Sequence, residues 1–354
     1  MRVVVVGGGI AGMEFVRHAH KLPIGITLIE PKQFMVCQAL LPELLSDKVD
    51  VDDIRINIGE FCDLVGVELV KGRAIEVRDG SIITERGKEI DYDRLVIAVG
   101  AEANYYGIRG SDRTYNVNTL ESTLKTKKAL ENAKDVAVVG SGTTGVEVAL
   151  ELREVGYDVK VVELADKVLP TFSQKVSDLV YKIMKDEGIE VYTSHKVLEI
   201  DDGIVTDRGR IECDVVIWCA GIKPQRFVEG LNVPKVGGWI EVDEFLKSKN
   251  LFAIGDCSFV RINGEIATKT ALEARMQAKH LALNLSRMIR NEKPVSYRIR
   301  SSLSRPTAIV TLARNRAILI YRGYVLSKPM NFIYKLKKVA IGRFLSNYNG
   351  KPSK

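Results

Sequence analysis

The chain has 354 residues and only four histidines. None stands at metal-ligand spacing from a cysteine or an acid. His18 and His20, two apart on a helical stretch, point in different directions, so no metal site is expected. Five cysteines, an odd number and widely spread, argue against a disulfide scaffold and for a reducing cytosol. No apolar run reaches 18 residues, which excludes a simple spanning helix. The first strand pattern starts straight after Met1–Arg2, so no leader is expected. Acid is missing from the end of the chain. Residues 293–354 hold 14 Lys or Arg and no Asp or Glu. The rest carries the other 38 of the 52 basic side chains and all 45 acidic ones, a balance of −7 within a chain of +7 overall. A single-sign tail on an acidic body implies an anionic partner surface.

What the chain does have is a motif in duplicate, with room for two or three domains around it. "VVVVGGGIAGMEF" opens with a buried-strand pattern, continues with Gly7, Gly9 and Gly12 spaced G-x-G-x-x-G, and runs on with helical periodicity. "VAVVGSGTTGVEVALEL" repeats this with Gly140, Gly142 and Gly145. The first glycine permits the tight turn, the second lets a pyrophosphate approach the backbone, and the third lets the helix pack on the strand. Each unit closes on an acid at a strand end 18 residues after its third glycine, Glu30 after "ITLI" and Glu163 after "VKVV". There a carboxylate would accept hydrogen bonds from ribose hydroxyls. Each unit later reaches a buried strand ending in glycine, "YDRLVIAVG" at Gly100 and "CDVVIWCAG" at Gly221. A further segment carries "NLFAIGDCSFV" and a long helical run, "TKTALEARMQAKHLALNLSRMI".

Through residue 290 this layout resembles the two-dinucleotide flavoproteins, the pyridine nucleotide–disulfide oxidoreductase superfamily, with "FAIGDCS" a specific marker. The resemblance implies an α/β fold of two Rossmann-like domains. Residues 1–110 and 225–290 would form a discontinuous FAD domain, residues 111–224 an inserted NAD domain, and residues 291–354 a basic C-terminal region. To FAD it assigns Gly7, Gly9, Ala11 and Gly12, Glu30 with Pro31 and Lys32, Ala74, Gly100, and Thr270–Ala271 at the start of the long helix. Gly255 and Asp256 complete that set, the aspartate holding the ribityl chain. To NADH it assigns Gly140, Gly142, Thr144, Gly145, Glu163 and Gly221. Glu163 would repel a 2′-phosphate, and the following "LAD" offers no arginine to receive one, so NADH is expected over NADPH.

The electron acceptor separates the branches of that superfamily. A disulfide reductase would need C-x4-C early in the chain, whereas Cys37 and Cys62 are 25 apart. Single-thiol reductases and NADH oxidases would place one cysteine near the flavin, with Cys37 the candidate; the plainer reading is a small buried hydrophobe. "ALLPELLSD", "GTTGVEVALEL" and "VVIWCAGIKP" are similar to type II NADH dehydrogenases, single-subunit NADH:quinone oxidoreductases. That similarity places Glu147 near nicotinamide and flavin; its plainer reading is a carboxylate at a helix N-terminus. The two glutamines those enzymes carry on the quinone-side helix fall on Leu272 and Met276, with Gln277 one position late. Sulfide:quinone oxidoreductases need a cysteine pair flanking the flavin, and Cys219 and Cys257 sit in motifs where relatives without thiol chemistry also carry cysteine.

A quinone enzyme without a spanning segment must reach the bilayer from one side. "MNFIYKLKKVAIGRFL" places Ile333, Leu336, Ala340 and Phe344 along one stripe with Lys335, Lys338 and Arg343 off it, the pattern of a basic helix lying in a membrane interface. The expectation is a membrane-associating C-terminal segment at the cytoplasmic face of the cell membrane, separable from the redox core. Nucleic acid is not expected as a partner, since no base-stacking motif accompanies the tail; a second copy of the chain is a further candidate.

Overall fold

The computed structural model describes residues 1–349, so Lys351 and Lys354 of the basic tail lie outside the described residues. Two parallel sheets carry the two glycine motifs. The first runs, in order, Lys247–Ser248, Leu251–Ala253, Arg94–Ile97, Arg2–Val6, Gly25–Glu30 and Glu68–Lys71. All its pairings are parallel except that of Lys247–Ser248 with Leu251–Ala253. The second runs Glu190–Tyr192, Asp158–Val162, Asp135–Val139 and Val215–Trp218, parallel throughout. Val3–Val6 and Val136–Val139 are buried, as β-branched strands covered on both faces must be.

In each sheet the glycine-bearing strand is interior. Arg2–Val6 lies between Gly25–Glu30 and Arg94–Ile97, and Asp135–Val139 lies between Asp158–Val162 and Val215–Trp218. The chain therefore crosses to opposite sides of that strand, and a crevice opens at the strands' carboxyl ends, where open α/β sheets take their ligands. The two units are stitched just past their terminal strands: Ala101–Ala103 pairs antiparallel with Ile222–Pro224.

The basic C-terminal region differs from the expected separable helix. It contains an antiparallel sheet of Ala308–Leu312, Arg316–Tyr321 and Tyr324–Val325, followed by the helix Asn331–Ser346. Val310, Leu312, Ile318 and Ile320 bury in one cluster with Val146 and Leu150 of the second glycine unit. Phe344, Leu345 and Tyr348 bury in the cluster of the first. The anticipated stripe is also divided: Ile333 and Phe344 face the protein, whereas Leu336 is 44% exposed and Ala340 is exposed. Five of the tail's cations pair with carboxylates of the rest of the chain. Arg314 and Arg316 pair with Glu187, Arg305 with Glu265, Lys337 with Glu147 and Lys338 with Glu43. Removing residues 329–349 would strip partners from buried carboxylates, so this described stretch is a part of the core and not a detachable anchor.

Candidate functional site

The two glycine loops share one geometry. Gly7 and Gly140 take φ of 107° and 95°, open to glycine but not to other L residues. A Cβ on Gly7 would run into the Ala98 carbonyl, and one on Gly140 into the Ala220 backbone. A Cβ on Gly12 or Gly145 would strike the carbonyl of the first glycine in its own loop. The middle glycines differ. Gly9 and Gly142 are exposed N-caps of the helices Ile10–Ala19 and Thr143–Glu154, with nothing within 4 Å of where a Cβ would stand. Backbone N–H groups and the positive ends of two helices thus face open space, the cradle a pyrophosphate fills. Thr144 is exposed in the first turn of the second helix, beside that space.

The two acids that close the units are already hydrogen-bonded within their own loops. Glu30 accepts from the Gly8 amide at 2.5 Å and the Lys32 amide at 2.9 Å. Glu163 accepts from the Ser141 amide and hydroxyl at 2.7 Å each and from the Ala165 amide at 2.8 Å. Each carboxylate therefore braces the residue between the first two glycines of its own loop, a role that spacing alone does not reveal. Pro31 and Lys32 are exposed just beyond Glu30. Ala74 begins a strand, Ala74–Val77, in a separate three-stranded sheet.

Asp256 reaches the first crevice through its neighbour. Gly255, at φ 73°, lies so close to Ala11 that a Cβ there would meet the alanine methyl. The Asp256 carboxylate has no hydrogen-bond partner among the described residues, and burial raises its pKa, offset by the nearby Lys269 ammonium. A half-buried acceptor of this kind fits a cofactor hydroxyl. Thr270 caps the helix Ala271–Ile289, whose first residue, Ala271, is exposed. Gln277 is not free for a substrate: it is 2% exposed and its side-chain oxygen accepts from the Gly255 amide at 2.8 Å. Leu272 and Met276 are half-buried on the same helix. Gly100 and Gly221 hold left-handed φ of 70° and 80° just before Ala101–Ala103 and Ile222–Pro224, and Tyr106 lies over Gly221.

Between the two units the C-terminal helix contributes the side chains that local sequence did not disclose. Glu147, 8% exposed, accepts from Lys337 Nζ at 2.9 Å and from the Thr311 amide at 2.7 Å. Lys337 also donates to Thr311 Oγ1 at 2.6 Å. Glu43 accepts from Lys338 Nζ at 2.8 Å and from the Tyr334 hydroxyl at 2.9 Å. The helix Leu41–Leu45 that carries Glu43 packs on Thr143–Glu154, where Ser46 and Lys48 both reach Glu151. Tyr348 donates to Glu14, the first unit's counterpart of Glu147, two residues beyond the third glycine. Cys37 is 3% exposed, and burial pushes its thiol up to about 11, so at neutral pH it is protonated. All five cysteines are free thiols.

A parallel fold in duplicate, two phosphate cradles and a flavin-compatible aspartate define an NAD(P)H-dependent flavoprotein oxidoreductase. Residues 1–278 match the model of the pyridine nucleotide-disulphide oxidoreductases, and the chain belongs to that family, whose members use FAD and NAD(H). The chain is 28% identical over 361 residues to the alternative NAD(P)H-ubiquinone oxidoreductase C1 of Arabidopsis thaliana, covering 85% of this chain and 70% of that protein. It is 25% identical over 394 residues to the type II NADH:quinone oxidoreductase of Haemophilus influenzae, covering 88% and 86%. In fold it is similar to NDH2 from Plasmodium falciparum in complex with NADH, with a TM-score of 0.85 at 19% identity, covering 98% of this chain and 95% of that one.

Proposed function

We propose that the protein passes hydride from NADH to FAD and electrons onward to a membrane quinone, working peripherally at the cytoplasmic face of the cell membrane. FAD supplies the redox chemistry; the protein binds, orients and moves protons. The observation that carries the reading is the two-sidedness of the helix Asn331–Ser346. One side delivers Tyr334, Lys337 and Lys338 to carboxylates between the two nucleotide units. The other presents Phe332, Leu336 and Val339, which are 65%, 44% and 51% exposed, with Lys335 and Arg343 beside them. Tyr324, Leu326 and Met330, 74%, 59% and 45% exposed, extend this apolar surface. A lipid-dissolved acceptor would meet that surface one helix away from Glu43 and Glu147. No helix among the described residues is long and apolar enough to cross a membrane, in keeping with attachment from one side. The two quinone-named relatives support the same acceptor.

The competing reading is a thiol-dependent reductase or oxidase acting through Cys37. Its buried, protonated sulfur opposes it, because the thiolate is the nucleophile. NADH oxidation should be compared with quinones, coenzyme A disulfide and oxygen as acceptors, and with sulfide as an alternative donor. Quinone should be reduced fastest, and Cys37→Ser should retain that activity. A disulfide that outran quinone, or loss of all turnover in Cys37→Ser, would overturn the proposal.

A further inference from the structure

Lys269 places a positive charge against the loop that carries Asp256. Its Nζ donates to the main-chain carbonyls of Asp256 and Ser258, at 2.8 Å each. The Trp239 ring covers the same nitrogen, its centroid 3.8 Å away. Two carbonyl dipoles and a ring face thus solvate the ammonium without cancelling its charge. Lys337 and Lys338 each sit on a carboxylate, whereas Lys269 forms no ion pair among the described residues. Lys269 is half-buried, and desolvation lowers its pKa to about 8, with Asp256 the main opposing charge. At neutral pH it is mostly a cation.

Its position ties that charge to the first crevice. Lys269 is bonded to the main chain of Asp256, whose half-buried carboxylate has no hydrogen-bond partner among the described residues. It immediately precedes Thr270, the cap of the helix Ala271–Ile289, so the positive end of that helix adds to its own charge. Gly255, next to Asp256, stands against Ala11 of the first glycine loop. A cation drawn out of water and given no ion-pair partner points to negative charge that comes from outside the chain.

Hydride transfer to FAD creates such a charge. The C–H bond of the dihydronicotinamide breaks and an N–H bond forms on the flavin. The two electrons bring one negative charge onto the flavin and leave the nicotinamide ring positive. We propose that the Lys269 ammonium is the fixed countercharge to the reduced flavin and raises the reduction potential of FAD. Asp256 stays free for a cofactor hydroxyl, because Lys269 bonds the aspartate's main chain and not its carboxylate. This rests on the siting of FAD against Asp256 and Thr270–Ala271, and not on the identity of the onward acceptor.

The test uses the full chain loaded with FAD, its midpoint potential read anaerobically by absorbance against a reference dye at neutral pH. No quinone is present, so the result does not depend on the quinone reading. Lys269→Met removes both the charge and the tether, whereas Lys269→Gln removes the charge but keeps an amide that can donate to the loop. In both variants the equilibrium constant for reduction of bound FAD by NADH should fall about tenfold, the effect of one charge at roughly 10 Å in a medium of dielectric about 20. For two electrons that is a potential lower by ~30 mV. The dissociation constant of reduced FAD should rise by the same factor relative to that of oxidised FAD. A potential unchanged or raised in both variants overturns the proposal. A shift in Lys269→Met alone makes Lys269 a tether of the loop and also overturns it. Equal weakening of oxidised and reduced FAD would assign the ammonium to the pyrophosphate, which is charged in both states, and overturns it too. Asp256→Asn, measured alongside, should weaken both states of FAD; unchanged affinity would mean that this loop does not face the cofactor, and the siting of Lys269 would fall with it.

Discussion

Lys337 and Glu147 are 190 residues apart in sequence, and the lysine Nζ stands 2.9 Å from the carboxylate. The pair joins the last helix of the chain to the helix of the second glycine loop. Because Lys338 and Tyr348 also reach Glu43 and Glu14, the C-terminal stretch bonds to both nucleotide units. Any motion of one unit against the other must carry this segment or break buried ion pairs.

Breaking the central pair should be severe. Lys337→Met leaves Glu147 buried without its cation, which costs about 3–5 kcal/mol. Adding Glu147→Gln removes the stranded charge and should restore a large part of the loss. Urea unfolding of the FAD-loaded single and double variants measures both. A Lys337→Met protein as stable as its parent would show that the pair contributes nothing.

Cofactor preference should depend on Glu163. In Glu163→Ala the NADPH-to-NADH ratio of kcat/KM should rise at least about tenfold, or ~1.4 kcal/mol. NADH binding should weaken too, because the same carboxylate holds Ser141 and Ala165 in place. An unchanged ratio would mean that this acid does not face the ribose 2′ position.

Cys37 should behave as a core residue. In the native protein at neutral pH it should resist maleimide, and it should react once urea unfolds the chain, as peptide mass mapping can show. Its thiol pKa is raised by burial from 9.0 to about 11, so between those values the unfolded thiol ionises while the folded one does not. Stability conferred by the protonated thiol is therefore complete below pH 9 and is lost as pH rises toward 11, amounting to about 2–3 kcal/mol. Cys37→Ala should lose stability less steeply across that window. Equal slopes for parent and variant would contradict the assignment.

Membrane attachment is best tested at the exposed face, since truncation would unseat buried partners. Phe332→Glu, Leu336→Glu and Val339→Glu together should release the protein from anionic vesicles at moderate salt, leaving its thermal stability near that of the parent. They should also slow long-chain quinones more than short ones. If the triple variant still floated with the vesicles, this face would not be the contact.

The two nucleotide units could be read from sequence because their determinants are local. A β-branched strand, three glycines at fixed spacing and an acid 18 residues later act within one strand–helix–strand unit, and backbone sterics alone dictate the turn. Asp256 was assigned to the flavin only through a resemblance, carried by the compact "FAIGDCS" motif. The C-terminal region could not be read in this way. Fourteen cations without an acid state the sign of the charge but not its partners, and a lysine pair on an amphipathic helix looks solvent-facing by periodicity. Only the tertiary fold brings Glu147 and Glu43 beneath that helix, and Glu14 to Tyr348 just past its end, 334 residues away. Once those carboxylates are removed from water, Coulomb attraction in a low dielectric favours drawing the cations in after them, and no local pattern records that choice.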